Sequence, residues 1–189
     1  MRILTFDEYK LEKDNIIQSI LDGEIFIHPT DTIYGIGCSA QSSSSVKKIR
    51  ELKSRVKNPF SVIAPSVEWI RENCVVSEEG EEWLKKLPGP YTLILELKNG
   101  KCIAKEVNVG LKTLGVRIPR HWIAKLITEA EVPVVTTSVN KSGQDYMTSL
   151  DDVDESIKNS IDFVLYEGEK EGRPSKIIDL TEKAKVIER

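Results

Sequence analysis

Apolar positions recur along this chain in two rhythms. Between residues 10 and 22, Leu11, Ile16, Ile17, Ile20 and Leu21 fall at helical spacing, and Gly23 stands where a helix end needs a left-handed residue, so an opening helix is predicted. Ile25-Phe26-Ile27 is short, apolar and partly β-branched, and Pro29 stops it, which reads as a buried strand running into a loop from Thr30 to Gly37. Val46, Ile49 and Leu52 share one face of a second helix, with one of the serines at 42–45 as its cap. Phe60 to Ala64 reads as a strand, and Val67 to Asn73 and Glu78 to Leu87 read as surface helices with an apolar stripe. Tyr91 to Leu97, Thr113 to Ile118 and Val132 to Thr137 have the β-rich composition of strands, with a helix from Trp122 between the last two. A helix near Val153 to Ile157 and strand-like runs at Phe163 to Tyr166, Ile177 to Leu180 and Val186-Ile187 complete the pattern.

Helices and strands therefore interleave from end to end, which predicts an α/β fold with helices packed on a sheet. The close succession of strands in the middle and tail predicts mixed rather than wholly parallel pairing. With 189 residues, no internal repeat and no shift in composition, one domain over residues 1–189 is expected. Hydrophobic residues make up 40% and charged residues 30%, and no segment approaches the roughly 18 apolar residues of a membrane span, so a soluble protein with no membrane partner is expected. Met1 to Tyr9 carries acidic and aromatic residues where a secretory signal needs a basic head and an apolar run. Cys38, Cys74 and Cys102 lie far apart with no C-x-x-C pair, which suits neither a zinc cage nor a disulfide framework and fits the cytoplasm. A net charge of −3 argues against a general nucleic-acid coat and leaves only a local basic cleft for such contacts.

The standard nucleotide motifs are missing: there is no G-x-x-x-x-G-K-[ST], and Gly35-Ile36-Gly37 lacks the third glycine of a dinucleotide fingerprint. Any phosphate must then be held by separate basic and hydroxyl side chains. Three clusters offer them. In Pro29-Thr30-Asp31-Thr32-Ile33-Tyr34-Gly35, a buried strand delivers hydroxyls, a carboxylate and a phenol into a turn, a composition that equally suits an ordinary strand end. Lys53-Ser54-Arg55, ahead of Lys57-Asn58-Pro59, either complements a helix dipole or forms a cationic pair, and the pair requires the helix to give way to a loop there. Thr136 to Gly143 leaves an apolar strand as a run of neutral donors, with Thr136 and Ser138 pointing the same way. Arg117 is either an edge charge or a cation facing a cleft, while His28 and His121 read as packing or capping residues rather than metal ligands.

Taken together, the three clusters resemble the YrdC family, whose pattern joins P-T-[DE]-T-x-Y-G-[LI]-G, a K-x-R element before a proline loop, and an S-x-N-x-S-G loop. Leu87-Pro88-Gly89-Pro90-Tyr91-Thr92 is similar to that family's P-G-P-x-T segment, and the likeness runs from about residue 10 to the end. The resemblance implies a twisted mixed β-sheet flanked by helices with a concave basic cavity, in the short single-domain form. It implies synthesis of L-threonylcarbamoyl adenylate and pyrophosphate from ATP, L-threonine and bicarbonate, with Mg²⁺ on the phosphates. The product would pass to a tRNA threonylcarbamoyl transferase. By the same resemblance Lys53 and Arg55 match catalytic positions; these two with Asn58, Thr136, Ser138, Asn140 and Arg189 match nucleotide contacts; and Thr32, Tyr34, Thr113, Arg117 and Ser175 match positions around the amino acid. The chain departs from the family at Ile63, where many members carry histidine, at a loop one residue shorter before Asn58, and at Gln144 to Met147. A YciO-like paralogue, similar in the Thr113 to Arg117 stretch, and a non-catalytic RNA-binding module are the competing readings.

Overall fold

A computed structural model of the chain describes residues 1–55 and 57–187. Strand β1 (Arg2–Leu4) and helix α1 (Phe6–Leu21) come first, then β2 (Phe26–His28), β3 (Gly35–Gly37) and α2 (Ser43–Leu52). Next are β4 (Ser61–Ile63), α3 (Val67–Asn73), β5 (Cys74–Val75), α4 (Glu78–Leu84) and β6 (Tyr91–Leu97). A short α5 (Lys105–Asn108) precedes β7 (Thr113–Arg117), α6 (Trp122–Ala130) and β8 (Val134–Ser138). The tail adds α7 (Glu155–Lys158), β9 (Phe163–Leu165), β10 (Lys176–Asp179) and β11 (Lys185–Ile187). Among these described elements, no helix is long and apolar enough to cross a membrane.

The mixed sheet runs in the order β1-β9-β2-β3-β8-β4-β7-β6-β10-β11, with β5 on β6. Parallel pairs such as β1 with β9 and β4 with β7 sit beside antiparallel ones such as β3 with β8 and β6 with β7. Period-two alternation sends neighbouring residues to opposite faces. Thus Ile27, Val62, Val135 and Val164 join one core, while Phe26, Ile63, Val134 and Phe163 join another with Ile16 and Ile20 of α1 and Leu126 and Ile127 of α6. Burial on both faces is why these strands read as continuous apolar runs.

Helix α1 starts ahead of its apolar rhythm because a capping box sets its first turn: Thr5 Oγ1 accepts from the Glu8 N–H at 3.4 Å and the Glu8 carboxylate accepts from the Thr5 N–H at 2.8 Å. Gly23, with φ +84°, turns the chain out of the helix as expected. Ser42 caps α2 through the Ser45 N–H. Helix α4 stops at Leu84, short of the Leu87 expected from its stripe, where a reversal into Pro88-Gly89-Pro90 begins.

The expectation of one loop from Thr30 to Gly37 is corrected, because Gly35–Gly37 forms β3. Glycine has little preference for strands; this one exists because β2 and β8 supply ladders on both sides. Its backbone also approaches β8 so closely that a Cβ on Gly37 would lie 2.1 Å from the Val135 carbonyl oxygen. Gly37→Ala is therefore expected to destabilise the fold by about 3 kcal/mol, the upper part of the range for overpacking against backbone, read as a lower urea midpoint with an unchanged m-value.

Candidate active site

One stretch of the sheet breaks the apolar rule. On β7, Thr113, Gly115 and Arg117 alternate with buried Leu114 and Val116; on β6, Thr92 and Ile94 alternate with Leu93 and Leu95. Thr136 and Ser138 of β8, Ser61 of β4 and Gly35 of β3 continue that polar face, and together they floor a cleft of about 410 Å³, within the usual range for small-molecule sites. Its depth depends on two glycines. A Cβ on Gly115 would lie 2.5 Å from Ser61 Oγ, and one on Gly35 would lie 2.8 Å from Thr136 Oγ1. The loop from Thr30 to Tyr34, Arg55 with residues 58–60, Ser142, and Pro174-Ser175 raise the walls.

At one end the cation is Arg117, whose side chain is 7% exposed and lines the cleft, so the edge-charge alternative falls away. Its guanidinium donates to Asp31 Oδ1 at 2.6 Å and to Thr32 Oγ1 at 3.3 Å. Asp31 Oδ2 accepts in addition from the Arg120 N–H at 2.8 Å. The hydroxyl protons can be assigned by elimination: Thr30 Oγ1 donates to the Ile33 carbonyl at 2.7 Å, so across the 2.9 Å contact it accepts from Thr32, leaving a Thr32 lone pair for Arg117. Ser175 Oγ meets Thr92 Oγ1 at 2.7 Å on the same floor. Sequence reasoning singled out neither Asp31 as the partner of Arg117 nor Thr92; the alternation on β7 and the lone Thr92 at the start of the apolar run of β6 were the available signals.

At the other end, α2 gives way after Leu52: Lys53 caps it and Ser54 adopts φ +50°, the departure from helix that the cationic pair required. Arg55 then reaches the cleft, donating to Thr137 Oγ1 at 3.3 Å and to the Pro59 carbonyl at 2.8 Å, with its guanidinium over the Phe60 ring at 5.2 Å. Arg50, which the helical pattern presents as one more surface charge, organises this turn by donating to the carbonyls of Glu106 (2.6 Å), Arg55 (2.8 Å) and Asn58 (3.1 Å).

Lys53 takes a different course from Arg55. Its ammonium donates to the Ser138 carbonyl at 2.5 Å, the Asn140 carbonyl at 2.7 Å and Asn140 Oδ1 at 2.8 Å, so all three of its N–H bonds have oxygen partners. The residue is 2% exposed. Burial, with a smaller push from Arg55, lowers its pKa to about 7, against three acceptors that favour the charged form. Ser138 donates to Asn140 Oδ1 at 2.7 Å, and the Ser142 N–H donates to the Lys53 carbonyl at 3.1 Å. Lys53 and Asn140 thus form a layer behind Ser138, which lines the cleft while they do not.

Of the residues singled out from the sequence, the structure brings Thr32, Tyr34, Arg55, Asn58, Thr113, Arg117, Thr136, Ser138 and Ser175 to one cleft. Arg189 lies outside the described residues. Ile63 is fully buried against α1 and α6 and does not line the cleft, so the departure there leaves the lining unchanged. His121 caps α6, its Nδ1 accepting from the Ile123 N–H at 3.3 Å. His28 is wholly buried, which pushes its pKa down to about 3 and keeps it neutral. Among the described residues no group of three or more His, Cys, Asp or Glu could hold a metal ion. The polar stretch from Glu167 to Arg173 is a loop that leads Pro174 and Ser175 into the wall, and the Tyr34 hydroxyl donates to the Gly168 carbonyl within it at 2.7 Å.

The family model for Sua5, YciO and YrdC proteins, described as telomere recombination, matches residues 18–189. A threonylcarbamoyl-AMP synthase of Pyrococcus abyssi is 36% identical over 168 residues, covering 86% of this chain and 49% of that protein. One of Vibrio campbellii is 28% identical over 174 residues, covering 88% of this chain and 92% of the relative. The crystal structure of P. abyssi Sua5 complexed with L-threonine superposes with a TM-score of 0.85 at 32% identity, over 96% of this chain and 54% of that one. The chain therefore spans about half the length of its P. abyssi relative and most of the Vibrio one. E. coli YciO shares the fold, with a TM-score of 0.84 at 21% identity. A match over nine-tenths of its length, carried by a twisted mixed sheet with a cleft on one face, means that this chain belongs to the Sua5/YciO/YrdC family.

Proposed function

We propose that the chain is a threonylcarbamoyl-AMP synthase, joining L-threonine, bicarbonate and ATP and releasing pyrophosphate. The observation that carries this reading is one cleft lined by Arg55 and Arg117, hydroxyl groups, and, among the described residues, no carboxylate. Such a lining suits two anions that must meet. The threonine amine takes up the carbon of bicarbonate with loss of water, giving a carbamate; a carbamate oxygen then attacks the α-phosphorus of ATP, and the bond to the β-phosphate oxygen breaks to release pyrophosphate. Anion approaches anion throughout, so lowering that repulsion is the principal task of the site.

In this reading Arg117, with Thr32, Thr113, Ser175 and the Tyr34 ring, holds the amino acid, its guanidinium facing the carboxylate. Arg55, with Asn58, Thr136 and Ser138, faces the phosphates, and Lys53 and Asn140 support Ser138 from behind. Mg²⁺ carried on the ATP phosphates supplies further charge neutralisation, as is usual for this ion; the lining offers it hydroxyls rather than carboxylates. No residue need act as a nucleophile. Positioning, and exclusion of water from the labile carbamate and mixed anhydride, account for the rate. We infer a cytoplasmic reaction whose product passes to a separate transferase that modifies tRNA.

Incubating the protein with Mg-ATP, L-threonine and bicarbonate should give pyrophosphate and a threonylcarbamoyl nucleotide by mass spectrometry, with neither formed when threonine or bicarbonate is left out. Release of inorganic phosphate in place of pyrophosphate would refute the proposed bond cleavage.

A further inference from the structure

The segment from Tyr166 to Ser175 delivers Pro174 and Ser175 to the cleft, yet between Leu165 and Ser175 it contains no buried residue. Tyr166 packs on the core, its ring stacked on Tyr34 at 5.7 Å, but beyond it polar contacts must fix the course from Glu167 to Pro174. Several of them converge on Glu167, whose side chain is 25% exposed and does not line the cleft. Its carboxylate lies 3.0 and 3.1 Å from His121 Nε2, accepts from Trp122 Nε1 at 3.0 Å and pairs with Lys170 Nζ at 2.8 Å. Because His121 Nδ1 is already the acceptor that caps α6, Nε2 is the ring nitrogen that donates to Glu167.

Backbone bonds from the Tyr166 N–H to the Leu4 carbonyl at 2.8 Å and from the Lys170 N–H to the Thr148 carbonyl at 3.0 Å tie the segment to its neighbours, and three further contacts aim it at the amino-acid end of the cleft. The Glu167 N–H donates to the Tyr34 hydroxyl at 3.1 Å, which in turn donates to the Gly168 carbonyl. Farther along, Tyr146 Oη donates to the Gly172 carbonyl at 2.8 Å, and Gly172 passes so close beneath Thr32 that a Cβ on it would lie 1.9 Å from the Thr32 carbonyl oxygen. One strap thus presses on Thr32 and ends at Ser175.

We propose that Glu167 is a positioning residue for the amino-acid end of the cleft: by clamping the strap to the first turn of α6 it holds 166–175 against Thr32 and sets Ser175 in the wall. The proposal rests on the reading of that end as the threonine site. Glu167 acts through the strap, touching no substrate, so its loss should affect one substrate and one segment.

In the full chain, Glu167→Ala is expected to raise the threonine KM at least about tenfold while leaving the ATP KM within about twofold, by pyrophosphate release. Amide exchange across 168–175 should quicken at least about tenfold, with α6 unchanged. Glu167→Gln, which keeps an oxygen acceptor, should fall between Ala and wild type. Lys170→Met removes one surface donor with no risk to the core, and should shift both readouts in the same direction by about threefold. An equal rise in both KM values, or unchanged exchange across 168–175, overturns the clamp. If the wild-type protein shows no dependence on threonine, the substrate reading fails, and the exchange comparison still decides whether Glu167 holds the strap.

Discussion

Arg117→Met is expected to lower threonine-dependent turnover at subsaturating threonine by at least about 100-fold, equivalent to about 2.7 kcal/mol of barrier. The guanidinium is the cation at the amino-acid end of the cleft, and methionine keeps its bulk without its charge or its forked donors. The same substitution harms the fold for a separate reason. Asp31, with its side chain 11% exposed, would keep only the Arg120 N–H, and a largely buried carboxylate stripped of its ion-pair partner costs about 3 kcal/mol. The two losses can be parted with Asp31→Asn/Arg117→Met, in which no buried charge is left unpaired. Urea unfolding of the double variant should return most of the way to wild type while its turnover stays low. If turnover recovers along with stability, Arg117 serves only to neutralise Asp31.

That pair illustrates what could be read from the sequence. The helix capped by Ser42, the strand Tyr91–Leu97 and the helix from Trp122 were legible because local periodicity and capping chemistry decide them. The hydroxyl and cationic clusters were legible as short runs of unusual composition. The Asp31–Arg117 bridge was not, because its members are 86 positions apart and meet only once β3, β8, β4 and β7 pair side by side in register. Arg50 escaped for a related reason: a cation on a helix looks alike whether it faces water or a ring of loop carbonyls. Strand β3 was hidden by its own glycines, since what makes it a strand is supplied by β2 and β8. The strap after β9 was equally silent, being held by polar contacts that follow no period.

The second large effect concerns the two cations that lie two positions apart after α2. Arg55 lines the cleft, whereas Lys53 is caged behind it by the carbonyls of Ser138 and Asn140 and by Asn140 Oδ1. Lys53→Met removes three hydrogen bonds and leaves the Asn140 carbonyl without a donor, while the Ser138 carbonyl keeps the Asn140 N–H and Asn140 Oδ1 keeps the Ser138 hydroxyl; at about 1 kcal/mol for each lost bond the expected loss of stability is about 3 kcal/mol. Turnover should fall at least about 100-fold as well, because the turn that presents Ser138 loses its tether. Arginine is too long and too planar for a cage that fits three N–H bonds from one nitrogen, so Lys53→Arg should rescue neither property. Arg55→Met is expected to behave differently, with turnover down at least about tenfold, a raised KM for ATP, and stability within about 1 kcal/mol of wild type. Urea midpoints measured beside ATP and threonine kinetics for all three variants separate a tether from a phosphate-facing charge. Were Lys53→Met to keep wild-type stability and lose turnover alone, the amine would have to leave its cage to meet substrate, and its role as a tether would be lost.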